Sequence, residues 1–376
     1  MRALPGLTIR NNGGSSPVFR ALMLAFAMVC ALTAPVGPVF AQEKAEASQA
    51  PAVYRPRLNF TGDTKTDFAL VDIITGTPIH WRVLRNPAPA GPGEAFIRYF
   101  DFGNQGDTLA SFDYNGDGFN EAGIWRSGIH YAAPFPESGA PFGPLTYTYW
   151  GNPTGENYGR DGDYDGDGMA DHTTVRLSSS LLTWVIKLSS GGTRSIQWGR
   201  TSLTQSSTLV YPGADFTGDG KDELVYQTAS LTGSGANTWF IGDSTTGATV
   251  LILSNWGSFI TDYMLQPDDY TGDGLADIVA MRSGGPAADG AIWYIRDTAT
   301  GQMVPPVSFG ISDPAFVLGD VPCRGNYDGD QRADVCVWRP SNSTFYWLKS
   351  SDGILGAQQW GVPSDTEFPL AIQWVF

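Results

Sequence analysis

Oxygen-bearing side chains crowd into six nine-residue segments of this 376-residue chain. They are NFTGDTKTD (59–67), DYNGDGFNE (113–121), DYDGDGMAD (163–171), DFTGDGKDE (215–223), DYTGDGLAD (269–277) and NYDGDQRAD (326–334). Counted from the first residue of each, carboxylates, amides or hydroxyls fall at positions 1, 3, 5 and 9, and position 4 is always Gly. Alternation along a tight loop turns side chains 1, 3 and 5 inward, and the main-chain carbonyl of position 7 adds another oxygen. That donor set suits calcium, which takes six to eight hard oxygen ligands. Gly allows the positive φ with which such a loop folds back on an ion.

The expected ligands are Asp113, Asn115, Asp117, Phe119 and Glu121 in loop two, and Asp163, Asp165, Asp167, Met169 and Asp171 in loop three. Loop four offers Asp215, Thr217, Asp219, Lys221 and Glu223, and loop five Asp269, Thr271, Asp273, Leu275 and Asp277. Loop six offers Asn326, Asp328, Asp330, Arg332 and Asp334, with Gln331 in place of Gly at position 6. Phe119, Met169, Lys221, Leu275 and Arg332 contribute main-chain carbonyls only. Loop one has just two carboxylates, Asp63 and Asp67, and Thr64 at position 6, so it is the poorest of the six. Four or five calcium ions are therefore expected. Two carboxylates ~4–5 Å apart repel by roughly 3–4 kcal/mol at an effective dielectric of ~20, so a cation should hold these loops closed.

Other metals fit less well. An EF-hand needs a bidentate Glu at position 12 and flanking helices. Position 12 is Ile124, Thr174, Tyr226, Ala280 and Val337 in loops two to six, and the segments that follow are β-rich. Magnesium keeps more of its waters. Zinc calls for grouped His or Cys, and His80, His130 and His172 are scattered along the chain.

The loops belong to a repeat, which decides the fold. Each is followed by an aromatic in a β-like run (Trp81, Tyr131, Trp184, Trp239, Trp293, Phe345). Then comes an aromatic-Gly pair, from Phe102-Gly103 to Trp360-Gly361. A unit of about 50 residues reads as four short strands; in unit five these are Tyr263–Leu265, Asp277–Arg282, Ala291–Asp297 and Met303–Phe309. Four strands per unit is the size of a propeller blade, whose faces are buried only by neighbouring blades. The fold class is all-β, a six-bladed β-propeller of four-stranded blades. The units lie near 53–103, 104–151, 152–199, 200–257, 258–310 and 311–361. Val53–Phe60 and Pro369–Phe376 both resemble an innermost strand, so 362–376 either closes the ring or begins an incomplete seventh blade.

The first 41 residues read as a secretory signal peptide, with Arg2, Arg10 and Arg20, an apolar run Ala21–Leu32, and Val39-Phe40-Ala41 before the cut. Residues 42–52 read as a disordered linker. No run is long enough to span a bilayer. Removing the leader leaves 20 basic against 38 acidic residues, a balance that excludes nucleic acid and anionic lipid as partners and favours cations.

The loops, the Trp-Arg that follows and the Trp-Gly pair, best seen in residues 326–361, resemble FG-GAP/VCBS-type repeats. The resemblance covers about 53–376. It implies a propeller with calcium in the blade hairpins, as in the α-integrin head and some fungal sugar-binding lectins, although integrin heads have seven blades. It names no ligand.

Arg126, Arg176, Arg282 and Arg339 recur after the second strand, with Asp72 and Gln227 in the other units. They either pair with an acid of a neighbouring turn or read an anionic sugar. Cys323 and Cys336 flank loop six as cross-strand neighbours, giving a candidate disulfide or two buried thiols. No Gly-x-Ser-x-Gly sequence accompanies the three His, so Ser-His-Asp chemistry is unsupported. Glu94, Glu137, Glu156 and Glu367 are acids outside the loops, expected to be solvated. The expected function is a secreted, monomeric, calcium-binding module for an extracellular glycan or surface protein, without catalytic residues. The alternative is a calcium-dependent polysaccharide lyase or hydrolase. Residues 85–96 and 132–144 are candidate ligand-rim loops.

Overall fold

The computed structural model describes residues 57–73, 78–87, 97–134, 145–152, 156–201, 206–230, 235–283, 290–311, 319–362 and 367–370. The expected signal peptide and linker, and most of both candidate rim loops, lie outside these. The described residues belong to one compact unit, Ala45–Phe376. Within it, six four-stranded antiparallel sheets form a six-bladed β-propeller.

Blade one holds β1 (Phe68–Asp72), β2 (Pro78–Leu84) and β3 (Ile97–Asn104). Blade two holds β4 (Thr108–Leu109), β5 (Ala122–Arg126), β6 (Ile129–Ala133) and β7 (Thr146–Tyr149). Blade three holds β8 (Glu156–Gly159), β9 (His172–Ser178), β10 (Leu181–Lys187) and β11 (Thr193–Arg200). Blade four holds β12 (Ser206–Ala214), β13 (Glu223–Ser230), β14 (Ala236–Gly242) and β15 (Thr249–Ser258). Blade five holds β16 (Asp262–Met264), β17 (Ile278–Ser283), β18 (Ala291–Arg296) and β19 (Val307–Ser308). Blade six holds β20 (Val321–Cys323), β21 (Val335–Arg339), β22 (Thr344–Leu348) and β23 (Leu355–Gln359). The last strand, β24 (Glu367–Pro369), pairs with β1 and completes blade one.

Unit five matches its expected strands except the fourth, which shrinks to Val307–Ser308. Pro305 and Pro306 lack the N–H groups that would extend the ladder toward Met303.

Ring closure is settled at two places. The innermost strand of blade one comes from the C-terminus, through the partners Leu70–Pro369, Val71–Phe368 and Asp72–Glu367, while residues 57 and 58 form a turn. The acidic loops close a second ring. The N–H at position 8 of each loop donates to the position 1 carbonyl of the loop before it: Asn120 to Asn59, Ala170 to Asp113, Asp222 to Asp163, Ala276 to Asp215, Ala333 to Asp269, and Thr66 back to Asn326, all at 2.6–2.7 Å. Six bonds return to their start, which leaves no place for a seventh blade.

The same stacking explains the invariant Gly at position 4. In each loop the position 7 side chain lies over the position 4 Gly of the preceding one: Phe119 over Gly62, Met169 over Gly116, Lys221 over Gly166, Leu275 over Gly218, Arg332 over Gly272 and Lys65 over Gly329. At Gly272, φ is +80° and an added Cβ would sit 2.1 Å from Arg332 Cδ. Gly272→Ala is therefore expected to destabilise the protein by about 2 kcal/mol, combining left-handed strain with overpacking. A urea titration checks this by the shift in midpoint.

The core lies between blades. Trp81, Trp184, Trp239 and Trp293 on the third strands, with Trp338 on β21, are fully buried. A tryptophan in each blade donates its indole N–H to the carbonyl of the aromatic-Gly pair: Trp81 to Phe102, Trp125 to Trp150, Trp184 to Trp198, Trp239 to Trp256, Trp293 to Phe309 and Trp338 to Trp360. The outer aromatics also bridge blades, as when Trp150 donates to the Val185 carbonyl at 3.1 Å.

Two sequence expectations change here. Pairing of Val71 with Trp81, Val175 with Trp184, Met281 with Trp293 and Trp338 with Phe345 fixes the core slot on each third strand. In blade two the slot opposite Trp125 is His130, not Tyr131. Glu367, expected to be solvated, is 1 % exposed; Arg82 Nη1 lies 3.1 Å from it.

Cys323 and Cys336 are direct cross-strand partners. They are buried free thiols rather than the candidate disulfide. Cys323 Sγ donates to the Val321 carbonyl at 3.6 Å. Burial and the neighbouring Cys323 push the Cys336 thiol well up. Neither thiol is expected to react with a chromogenic disulfide reagent in the native protein, and both are expected to react once denatured without reductant. A denatured protein in which neither reacts would show a bond instead.

Candidate metal centres in the loop ring

Each acidic loop is tied by its own carboxylates. The position 1 side chain accepts the N–H groups of positions 4 and 6: Asp113 from Gly116 (2.7 Å) and Gly118 (2.9 Å), Asp163 from Gly166 and Gly168, Asp215 from Gly218 and Gly220, and Asp269 from Gly272 and Gly274. The position 5 carboxylate accepts from the N–H of position 7, as Asp117 does from Phe119 and Asp273 from Leu275. The position 9 carboxylate reaches back to the N–H of position 2: Glu121 from Tyr114, Asp171 from Tyr164, Glu223 from Phe216, Asp277 from Tyr270 and Asp334 from Tyr327. Five of the position 2 aromatics in the six loops are buried, Phe60, Tyr164, Phe216, Tyr270 and Tyr327, and they anchor the loops to the core. An aromatic as the second letter of all six motifs is the sequence signal for this anchoring.

Positions 1, 3 and 9 converge in loop three. One oxygen from each of Asp163, Asp165 and Asp171 lies within 4.8 Å of the others. The turn between β10 and β11 closes the loop from outside: Ser189 donates its N–H to Asp171 at 2.7 Å and its hydroxyl to Asp167 at 2.8 Å, and the Ser190 hydroxyl bonds Asp165. Loop six has the same outer turn, with Ser350 on Asp334 and Asp330 and Ser351 on Asp328. The position 9 carboxylate is thus partly a brace, which the spacing of oxygens did not reveal.

Burial raises these braces strongly. It pushes the Glu223 carboxyl up to about 9, and Glu121 and Asp277 to about 7, with the loop aspartates adding their charge and backbone N–H groups opposing. Asp171 and Asp334 rise to about 6 for the same reasons. Such a site holds a proton or a cation near neutral pH.

The two departing loops differ from each other. Gln331 takes φ +75°, the left-handed conformation of Gly118, Gly168, Gly220 and Gly274, so loop six keeps its shape at the cost of strain in a non-Gly residue. Thr64 does not take positive φ. Arg85 Nε stands 3.5 Å from Asp63 instead, which places a cationic side chain at loop one.

The recurring arginines are structural clamps in three blades. Arg126 pairs with Asp107, Arg282 with Asp262 and Arg339 with Asp320, each through Nε and Nη2. Asp262 and Asp320 are buried. Each guanidinium also lies over a third-strand tyrosine: Tyr131 at 5.8 Å, Tyr294 at 5.0 Å and Tyr346 at 4.5 Å. That is the place of Tyr131 in blade two. In blade one the pair is built from Arg82 and Glu367, and Asp72 joins it at 3.8 Å. In unit four the equivalent residue is Thr228; Gln227 occupies the core slot opposite Trp239.

Among the described residues no helix is long and apolar enough to cross a membrane. No family model and no curated relative matches the chain. Among solved structures it is similar to Sqt1 of Saccharomyces cerevisiae, over 78% of this chain and 86% of that one, at 9% identity and a TM-score of 0.37.

Proposed function

We propose that this chain is a calcium-loaded propeller of the FG-GAP/VCBS type, secreted as a monomer, that acts as an extracellular binding module for a glycan or surface protein. The observation that carries the reading is the ring of acidic loops, in which four share one pattern of position 1 and position 9 carboxylate bonds. A loop that needed only to turn would not bury so many carboxylates against one another. Calcium in loops two to six supplies the charge they lack, and Arg85 takes that role in loop one.

Exposed aromatics support the ligand half of the reading. Tyr147 and Tyr149 are 61% and 73% exposed on one face of β7, and Tyr99 is 65% exposed on β3. Tyrosine offers a flat apolar body with a polar tip, suited to a sugar ring or a protein surface. The test is a glycan array and a reducing-end assay with the same sugars, in calcium and in chelator. Calcium-dependent binding without new reducing ends, lost in Tyr147→Ala/Tyr149→Ala, is the expected result. New reducing ends would favour the polysaccharide-degrading alternative, and binding indifferent to calcium and to both tyrosines would overturn the proposal. Export with an N-terminus at Gln42 is expected on sequencing the extracellular protein.

A further inference from the structure

His130 stands where the other blades bury tryptophan or phenylalanine, and it is 2 % exposed. An imidazole there has two polar nitrogens to satisfy. Neither Nδ1 nor Nε2 makes an aligned hydrogen bond. A buried polar group left so costs about 1–3 kcal/mol, so an apolar ring would serve the core better.

What His130 faces is a set of donors from three other segments. Its Nδ1 is 2.9 Å from Asp161 Oδ2, in the link between β8 and loop three. His172 Nδ1, at the start of β9, is 3.4 Å from the same oxygen. The two imidazoles lie 4.4 Å apart, and Tyr114 of loop two stacks on His172 at 5.0 Å. One ligand atom from each of His130, Asp161 and His172 lies within 4.8 Å of the others. Thus two histidines 42 positions apart in sequence meet at the seam of blades two and three, and the scattering that argued against zinc applies to the chain and not to the fold.

Hydrogen bonding alone leaves this cluster mismatched. Tyr114 Oη lies 2.8 Å from the Ala110 carbonyl and 2.7 Å from Asp161 Oδ2, yet a phenol has one proton for these two acceptors. Asp161 Oδ1 is already taken by the Thr173 N–H at 2.8 Å, and the carboxylate is buried. A cation among the three side chains would give His130 Nδ1 and Asp161 Oδ2 a common partner and leave the Tyr114 proton to the Ala110 carbonyl. Four-coordinate zinc binds imidazole nitrogen at ~2.0–2.1 Å and carboxylate oxygen at ~2.0–2.2 Å, which sets neighbouring donors about 3.3 Å apart. The distances of 2.9 and 3.4 Å straddle that value. His172 keeps 16% of its side chain exposed, which provides an entry path.

We infer that His130, Asp161 and His172 form an inter-blade site for a zinc-class divalent ion, separate from the acidic loops. Two imidazoles select zinc over calcium, whose ligands are oxygen. Three protein ligands leave a fourth position for water or for a group on a partner.

The test uses the purified chain, stripped with chelator and returned to millimolar calcium so that the loops are filled. Zinc chloride is then titrated in by calorimetry, and cobalt(II) is added in a parallel sample. One zinc per chain and an intense tetrahedral cobalt spectrum are expected. His172→Gln should weaken zinc by more than about a hundredfold, since loss of an outer partner alone costs 10–100-fold. His80→Gln, on β2 of blade one, should leave zinc unchanged. Absence of zinc binding, zinc binding indifferent to His172→Gln, or only the weak spectrum of six-coordinate cobalt would each overturn the assignment. The cobalt spectrum is read on the unmutated chain and stands whether or not the variant folds.

Discussion

Chelation of calcium is expected to lower the melting temperature by at least about 10 °C, and by more at pH 8 than at pH 5. A ligand at a hundredfold excess over its Kd stabilises the folded state by about 2.7 kcal/mol per site. Four such sites sum to about 11 kcal/mol, comparable with the entire net stability of a domain. The pH dependence follows from the braces. In the metal-free protein the carboxyls of Asp171, Glu121, Asp277 and Glu223 rise to about 6, 7, 7 and 9. A carboxyl raised by folding stabilises the fold fully below its unfolded value near 4 and loses that contribution as pH rises through the folded value. The metal-free melting temperature should therefore fall steadily from pH 5 to pH 9. Calcium displaces these protons, so the loaded protein should be nearly flat over the same interval, and calcium binding should release protons and weaken at pH 5. Calorimetric melts at several pH values, with and without chelator, check all of this. Melting temperatures identical in both conditions would count against the loops as calcium sites.

The loops were legible because their chemistry is local. Side chains at positions 1, 3, 5 and 9 and the Gly at position 4 lie within nine residues, and the six-bladed propeller followed from their repetition. What stayed hidden was decided between blades. Position 4 is Gly because the next blade's position 7 side chain lies on it, a contact between residues about 50 positions apart. His130 could be told from Tyr131 only by strand register, since adjacent residues of a strand face opposite sides. His172 and Asp161 reach His130 across a seam that spacing along the chain does not mark. Glu367 looked solvated because its partner, Arg82, stands at the other end of the sequence. Two innermost strands competed for blade one on equal local grounds, and pairing with β1 decided for the C-terminal one.

That choice makes the C-terminal segment the clasp of the ring, and deleting residues 362–376 is expected to abolish cooperative folding. Without β24, the inner edge of β1 loses its hydrogen-bond partners at Leu70, Val71 and Asp72. Leu370, 1 % exposed, is removed from the core, and Leu70, fully buried in the intact chain, loses the strand paired with it. Burial of one leucine contributes about 1.5–3 kcal/mol and each ladder bond about 1 kcal/mol. Arg82 also loses the carboxylate 3.1 Å from it, and Asp72 is left as its acidic partner at 3.8 Å. Together these losses exceed about 5 kcal/mol, the lower end of what holds a domain folded. The seam between blades six and one retains the Thr66–Asn326 bond and the Asn86 bond to the Tyr327 carbonyl at 2.8 Å, so the truncated chain should collapse into a loosened form rather than a random coil. Glu367→Gln, which removes only the ion pair, should cost about 2 kcal/mol and keep a single transition. Supplying residues 362–376 as a separate peptide should restore part of the lost melting temperature in a concentration-dependent way. A truncated protein that melts like the intact one would mean that the loop ring alone closes the propeller.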